Sequence, residues 1–262
     1  NIGSFACTNI QTTMNRNIVH LDLDTFFVSV ERLQNSSLIG KPVLIGGTSD
    51  RGVVASCSYE ARQFGVHSAM PMRMARQLCP QALIVRGDYD QYSKYSKIVT
   101  DILTDKAPVV EKASIDEHYL DLTGMDRYFG CYKWISEVRK YIIQQTGLPI
   151  SFGLSVNKTV SKIATGQAKP NGQLNIDLGT EKQFLAPLSI KKIPMVGDKA
   201  ALLLKQLGIN TIGIAQKMPV ERMEQALGEN GVTIWKKANA IDNSPITPYS
   251  ERKSISAEEK FK

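Results

Sequence analysis

Asp22 and Asp24 lie two residues apart in the run Ile18-Val19-His20-Leu21-Asp22-Leu23-Asp24-Thr25-Phe26-Phe27. A strand places residues i and i+2 on one face, so both carboxylates point the same way. A second acidic pair, Asp116-Glu117, stands inside Ala113-Ser114-Ile115-Asp116-Glu117-His118-Tyr119-Leu120-Asp121-Leu122. Unpaired carboxylates in such apolar surroundings are costly, and like charges held close need a cation between them. If the two segments fold side by side, three or four hard oxygen ligands converge. That is the donor chemistry of Mg²⁺, and it points to a two-metal centre. His67 and His118 have no partners at ligand spacing and read as non-metal residues.

Other residues could act on phosphate. Tyr59 and Arg62 share a face of a short helix, where a hydroxyl and a planar guanidinium suit phosphate oxygens but equally make a surface stack. Lys169, in Lys169-Pro170-Asn171-Gly172, marks a helix end. There it either meets a phosphate or complements the helix dipole. Phe26 and Phe27 follow the first acidic strand. Core packing is the default for both, but neighbouring side chains cannot face one side, so one of them can face the metal cleft. The turn at 194–197 can offer backbone N–H groups to a phosphate, or can simply join two helices.

The elements that must position these residues follow from the apolar periodicity. A buried strand is expected over 17–24 and a helix over 26–33. Short strands at 41–47 and 52–57, with helices at 59–64 and 70–78, make a small α+β insertion. A helix at 91–104, strands near 109–114 and 117–123, a long helix at 128–146, a strand at 149–156 and a helix at 158–168 follow. This order predicts a β-α-β-β-α-β sheet with helices on one face, on which 18–24 and the 109–123 hairpin are neighbours. From 178 the pattern changes to short helices. The polar, proline-bearing stretch 243–253 reads as a linker. Only 254–262 follow, so the chain is expected to stop just inside a further module. Residues 1–16 read as a peripheral leader, with Met14 a candidate natural start.

Composition narrows the class. The 262 residues carry a net charge of +7 and 42% hydrophobic residues. No apolar run of about 18 residues exists, so no membrane partner is expected. The four cysteines, Cys7, Cys57, Cys79 and Cys131, form no C-x-x-C pair and fit a reducing cytoplasm. Nine lysines between 158 and 217 face only Asp177, Glu181 and Asp198, a local net of +6. That is either a solvated surface or a polyanion contact.

Together the segments His20–Phe27, Ser58–Val66, Ser114–Leu122 and Ala168–Gly172 resemble the Y-family lesion-bypass DNA polymerases, nearest their DNA polymerase IV branch. The resemblance runs from Ile18 to the chain end. It implies an α+β, right-hand architecture. A ferredoxin-like palm would occupy 17–25 and 88–176, and small α+β fingers 26–87. A helical thumb with a helix-hairpin-helix would occupy 177–243, followed by a linker at 244–253 and the start of a truncated little finger domain at 254–262. It implies low-fidelity, distributive, template-directed transfer of a dNTP to a primer 3′-OH, with two Mg²⁺ ions. Asp22, Asp24, Asp116, Glu117 and the Leu23 carbonyl would hold the metals. Asp22, Asp116 and Glu117 would be catalytic, Glu117 near the primer 3′-oxygen. Tyr59, Arg62 and Lys169 would contact the triphosphate. Phe26 and Phe27 would meet the nucleotide, Phe27 as a steric gate against a ribose 2′-OH. Lys191, Lys192, Val196, Gly197 and Lys199 would meet DNA. The small residues Gly47, Val53, Ala55 and Ala69 would cover the nascent base pair loosely. Primer–template DNA and dNTP are the implied partners, with a sliding clamp bound through the missing region. Two departures stand out. Met195 replaces the usual hairpin glycine. His118 follows the acidic pair where a small residue is usual; it either covers the sheet or disturbs the second acidic cluster. Two rivals remain at this point. One is a nucleotide cyclase, which needs no basic thumb. The other is a non-catalytic DNA-binding accessory subunit, which should have lost its carboxylates.

Overall fold

The computed structural model describes residues 15–127 and 130–248. Most of the expected leader, residues 249–253 of the expected linker, all of 254–262, and the expected helix start at 128 lie outside the described residues.

In chain order the strands are β1 (Ile18–Leu23), β2 (Val43–Gly46), β3 (Val54–Cys57), β4 (Leu83–Val85), β5 (Val109–Lys112), β6 (Glu117–Asp121), β7 (Ile150–Ser155) and β8 (Gln173–Asn175). The helices in the first part are α1 (Phe26–Gln34), α2 (Tyr59–Arg62), α3 (Met72–Leu78), α4 (Tyr89–Lys106), α5 (Cys131–Thr146) and α6 (Lys158–Ala168). The last part holds α7 (Glu181–Leu185), α8 (Asp198–Gln206), α9 (Ile212–Lys217), α10 (Val220–Leu227) and α11 (Glu229–Ala238). Side chains start several helices, at the expected residue for α2 and α6 and two residues early for α4. Ser58, Asp88 and Asn157 each accept a backbone N–H from the first turn they precede. β4 and β8 were not expected. Each has three residues, too few for a periodicity, and each forms only because a longer strand lies beside it.

The main sheet has the order β5-β6-β1-β7-β8. β1 lies at its centre, antiparallel to both β6 and β7. Its alternation separates two faces. Val19, Leu21 and Leu23 enter the largest core with Val99 and Leu103 of α4 and Ile135 and Ile142 of α5. His20 points the other way, and α6 covers it, with the Thr165 hydroxyl 3.0 Å from His20 Nδ1. The two helices of the expected β-α-β-β-α-β unit, α4 and α5, thus share one face, and α6, which follows that unit, covers the other. α6 takes the second face because the inner residues there are polar and need polar partners from a helix.

α6 can approach because β7 carries Gly153 beneath it. A Cβ at that position would lie 2.4 Å from the Ser161 carbonyl oxygen and 2.6 Å from the Thr165 nitrogen. α6 also supplies Val160, Ile163 and Ala164 to a second core, shared with Leu185, Leu204, Ile212 and Met223 of the later helices. The 26–87 insertion has its own three-stranded sheet, β3-β2-β4, and its own core around Leu44, Val54, Met72 and Ala75.

The stretch after α11, expected to start a linker, is pinned to the main sheet as far as it is described. Asp242 Oδ2 accepts from the Thr159 hydroxyl at 2.7 Å, and Glu111 accepts from the Thr247 N–H at 2.6 Å. Ile246 packs with Ile18 and Tyr119. Cys57, Cys79 and Cys131 are buried free thiols. Among the described residues no helix is long and apolar enough to cross a membrane.

Gly153→Ala is expected to lower stability by about 1–3 kcal/mol, because the added methyl meets backbone rather than a side chain that can turn away. A urea or thermal midpoint checks this. An unchanged midpoint would mean that α6 does not sit this close to β7.

Candidate active site

The β1–β6 register sets Asp22 directly opposite Glu117. Asp116 precedes β6 in the turn, and its carbonyl accepts the Leu23 N–H at 3.0 Å. Asp24 stands just past the end of β1, where its N–H donates to the Pro149 carbonyl at 2.9 Å. The sheet thus brings all four expected acids to one end of the β1–β6 pair. It does not aim their carboxylates at one point. Among the described residues no group of three acidic, imidazole or thiol side chains is placed to hold a metal ion together. The acids are grouped as expected, and in this structure their carboxylates are engaged by local donors.

Each carboxylate is held by its own donors. Asp24, 1% exposed, accepts from the Tyr59 hydroxyl at 3.2 Å, the Ser151 hydroxyl at 2.7 Å and the Asn171 N–H at 2.7 Å. Asp116 Oδ1 accepts from the Ser114 hydroxyl at 2.6 Å. Glu117 receives the Lys162 ammonium on both oxygens, at 2.7 and 2.5 Å. Lys169, at the C-terminal end of α6, bonds Asp22, and its Nζ lies 3.9 Å from Asp24. Burial pushes Asp22 up to about 7, with Asp116 and Glu117 adding and Lys169 opposing. Asp22 thus remains short of positive charge even with one lysine on it. Ser151, Lys162 and Asn171 escaped sequence reasoning as site residues. Ser151 and Lys162 had one available signal each: alternation places Ser151 inward on its strand, and Lys162 and Lys169 both belong to one helix.

Beside Asp22 and Asp116 lies a cavity of about 130 Å³, lined also by Leu23, Thr25, Phe27, Ala55, Ser56, Arg62, Ser68 and Lys169. Phe27 faces this cleft. Its ring stacks on Tyr92, with centroids 4.2 Å apart and planes at 11°. The Tyr92 hydroxyl donates to the buried Glu31 carboxylate at 2.5 Å, which holds the stack in place. Phe26 also borders the cleft, but it is 2% exposed and packs in the main core. The Arg62 guanidinium lies 5.1 Å from the Tyr59 ring centroid and borders the cleft. Tyr59 is instead turned to Asp24. Of the four small residues expected over the cleft, Ala55 is in its lining; Ser56 and Ser68 were missed.

His118 resolves in favour of covering the sheet. It is fully buried, its Nε2 lies 2.9 Å from the Thr100 hydroxyl of α4, and burial lowers its pKa to about 4. It points away from Glu117, as the next residue on a strand must.

The 194–197 turn also departs from expectation. The Val196 side chain is buried in the helical core, and its N–H donates to the Ile193 carbonyl at 3.1 Å. The Gly197 N–H donates to the Met195 carbonyl at 3.1 Å. These two N–H groups are therefore spent within the turn. The ones left for a phosphate are those opening α8, which Gly197 caps with no side chain. Lys191 pairs with Asp198 at 2.6 Å, while Lys192 and Lys199 are exposed without an ion pair among the described residues. Nor is the lysine-rich stretch one basic surface. Lys158, Lys162 and Lys169 are paired with Glu111, Glu117 and Asp22.

Against known proteins, residues 21–166 match the impB/mucB/samB family. A curated relative from Dehalococcoides mccartyi strain BAV1, named DNA polymerase IV, is 43% identical over 94% of this chain and 64% of its own length. One of the same name from Halorhodospira halophila is 38% identical over 94% of this chain and 70% of its own. Among solved structures, DinB from Sulfolobus solfataricus is similar with a TM-score of 0.81 at 30% identity, covering 88% of this chain and 69% of that one. An insertion ternary complex of Dbh DNA polymerase gives 0.78 at 29% identity, with the same coverage. The chain spans 64% of the length of the Dehalococcoides mccartyi relative, just under two thirds.

Met195, which stands where the hairpin usually has glycine, has φ of +80° and is 73% exposed. Met195→Gly is expected to gain up to about 1 kcal/mol, left-handed strain relieved less the extra unfolded-state freedom of glycine. Met195→Val should lose about 1 kcal/mol, since β-branching resists positive φ. Denaturant midpoints of both variants check the opposite signs.

Proposed function

The chain belongs to the impB/mucB/samB family of Y-family DNA polymerases, and from that premise we propose that it catalyses template-directed transfer of a dNTP to a primer 3′-oxygen, with low fidelity, in lesion bypass. The observation that carries this reading is the set of acids at the end of β1 and β6, with Asp22 and Asp116 on a cleft that Phe27, Arg62 and Lys169 also line.

The donor set fits divalent cations. It is made of hard carboxylate oxygens, a lysine ammonium already sits among them, and Asp22 still lacks enough positive charge to ionise freely. Asp22, Asp24, Asp116 and the Leu23 carbonyl would hold two Mg²⁺ ions. Bound there, such ions lower the pKa of a primer 3′-hydroxyl and offset the charge of the triphosphate. Lys169 would exchange Asp22 for a phosphate oxygen, since a triphosphate offers the ammonium more negative charge than one carboxylate. Arg62 would take a second phosphate position with its fork, and Tyr59 would donate a neutral hydrogen bond. Phe27, immobilised by Tyr92, would exclude a ribose 2′-OH by bulk. Glu117 would stand near the primer end. Ala55, Ser56 and Ser68 cannot grip a base pair closely, which supports permissive templating. Lys192, Lys199 and the N–H groups opening α8 would contact DNA phosphates, a sequence-independent and salt-sensitive grip that supports distributive synthesis. Contact with a sliding clamp belongs to the same proposal and rests on the family resemblance alone.

Asp116→Ala is expected to reduce Mg²⁺-dependent primer extension by about a thousandfold or more while primer–template affinity survives. Extension at the parent rate would remove Asp116 from the metal set. Phe27→Ala is expected to raise rNTP relative to dNTP insertion by at least about tenfold, about 1.4 kcal/mol of lost steric discrimination. The ratio of the two kcat/KM values reads this directly. An unchanged ratio would return Phe27 to a packing role.

A further inference from the structure

The turn before β6 delivers two acids, and the fold handles them differently. Asp116 lines the cleft, whereas Glu117 is not part of its lining. Glu117 faces Asp22 across the β1–β6 pair, where opposed side chains stand about 5 Å apart and like charges repel. Asp24 is oriented by three uncharged donors, with the Lys169 ammonium 3.9 Å away and outside hydrogen-bond reach. Glu117 has no such set. Among the described residues, the only hydrogen bonds to its carboxylate come from Lys162. His20 Nε2, at 3.8 Å, is beyond hydrogen-bond reach.

We propose that Lys162 is the positioning residue for Glu117 in the nucleotidyl transfer proposed above, an inference that rests on that reading. One ammonium takes both oxygens, so the plane of the carboxylate follows the lysine. The lysine follows α6, and α6 is seated on β7 by the backbone contact at Gly153. The height of one helix above the sheet therefore sets how far Glu117 reaches toward the cleft. The same charge offsets the repulsion between Glu117 and Asp22. With Lys162 neutralised, Glu117 loses its tether, and a divalent cation held by Asp22 and Asp116 can draw it in. The free protein then gains a cation ligand and loses a positive charge, but the carboxylate is no longer held where the primer end needs it.

Lys162→Met keeps the stem and removes the charge, and Lys162→Arg restores a two-pronged donor. Mn²⁺ binding to the free 262-residue chain, followed by electron paramagnetic resonance, is expected to tighten about tenfold in Lys162→Met and to stay within about threefold in Lys162→Arg. In single-nucleotide insertion, kcat of Lys162→Met should fall about 30-fold, with KM for dNTP and Kd for primer–template within about threefold. Lys162→Arg should recover most of the loss. Unchanged Mn²⁺ affinity, or unchanged kcat, overturns the proposal. A raised KM at constant kcat makes Lys162 a triphosphate contact instead. Duplex affinity that falls as much as kcat/KM makes it a DNA grip. Either result also overturns the proposal. If Lys162→Met shows no cooperative melting transition, Lys162→Gln takes its place in the same measurements. Asp116→Ala separates the two levels. If it extends primers normally, the polymerase reading has failed. If it is inactive while Lys162→Met is normal, only the role of Lys162 has failed.

Discussion

The facing of Asp22 and Glu117 across one strand pair is the constraint on which the rest of the structure depends. Two carboxylates at directly opposed positions repel, and both are largely withdrawn from water. The fold tolerates this only because α6 runs over that face and carries lysines to it. Lys162 meets Glu117, Lys169 meets Asp22, and Lys158 meets Glu111 on the neighbouring strand β5. A one-residue slip of β1 against β6 would turn Asp22 into the main apolar core, so the register is strongly specified.

That arrangement gives α6 two jobs. It holds the polar face of the sheet, and it completes the core of the later helices. A helix in this position cannot shift without disturbing both, and its closeness to β7 is guaranteed by a missing side chain at Gly153. The segment after α11 is tied to the same region through Asp242 and Thr159, so the end of the helical part returns to the helix that organises the acids. Charge that looks like a basic surface when the lysines are counted along the chain is partly internal compensation. The unpaired positive charge is correspondingly smaller than the local net of +6 suggests, and among the described residues it includes the exposed Lys192 and Lys199.

Much of the architecture was legible in the sequence because it is written in local periodicity. Alternating apolar residues around Asp22 and around Glu117 define two strands, and the intervening helices dictate that these strands can lie side by side. The grouping of the four acids followed from that. The second-face position of α6 did not, because a helix shows which of its sides are apolar and not which face of a sheet it will cover. The three-residue strands β4 and β8 were also invisible, since their only support is a neighbour distant in sequence.

What the sequence by itself determined is the inventory: which residue types stand at which end of which element, and hence the class of chemistry. What only the tertiary structure decided is direction. It turned Asp24 toward Tyr59 and Ser151, Glu117 toward Lys162, His118 toward α4, and the N–H groups of Val196 and Gly197 into their own turn. It separated Phe26 from Phe27, sending one to the core and setting the other against Tyr92 at the cleft. The physical reason is common to all of these. A side chain points to wherever its hydrogen bonds and packing partners are, and those partners come from segments tens of residues away, which no local pattern records.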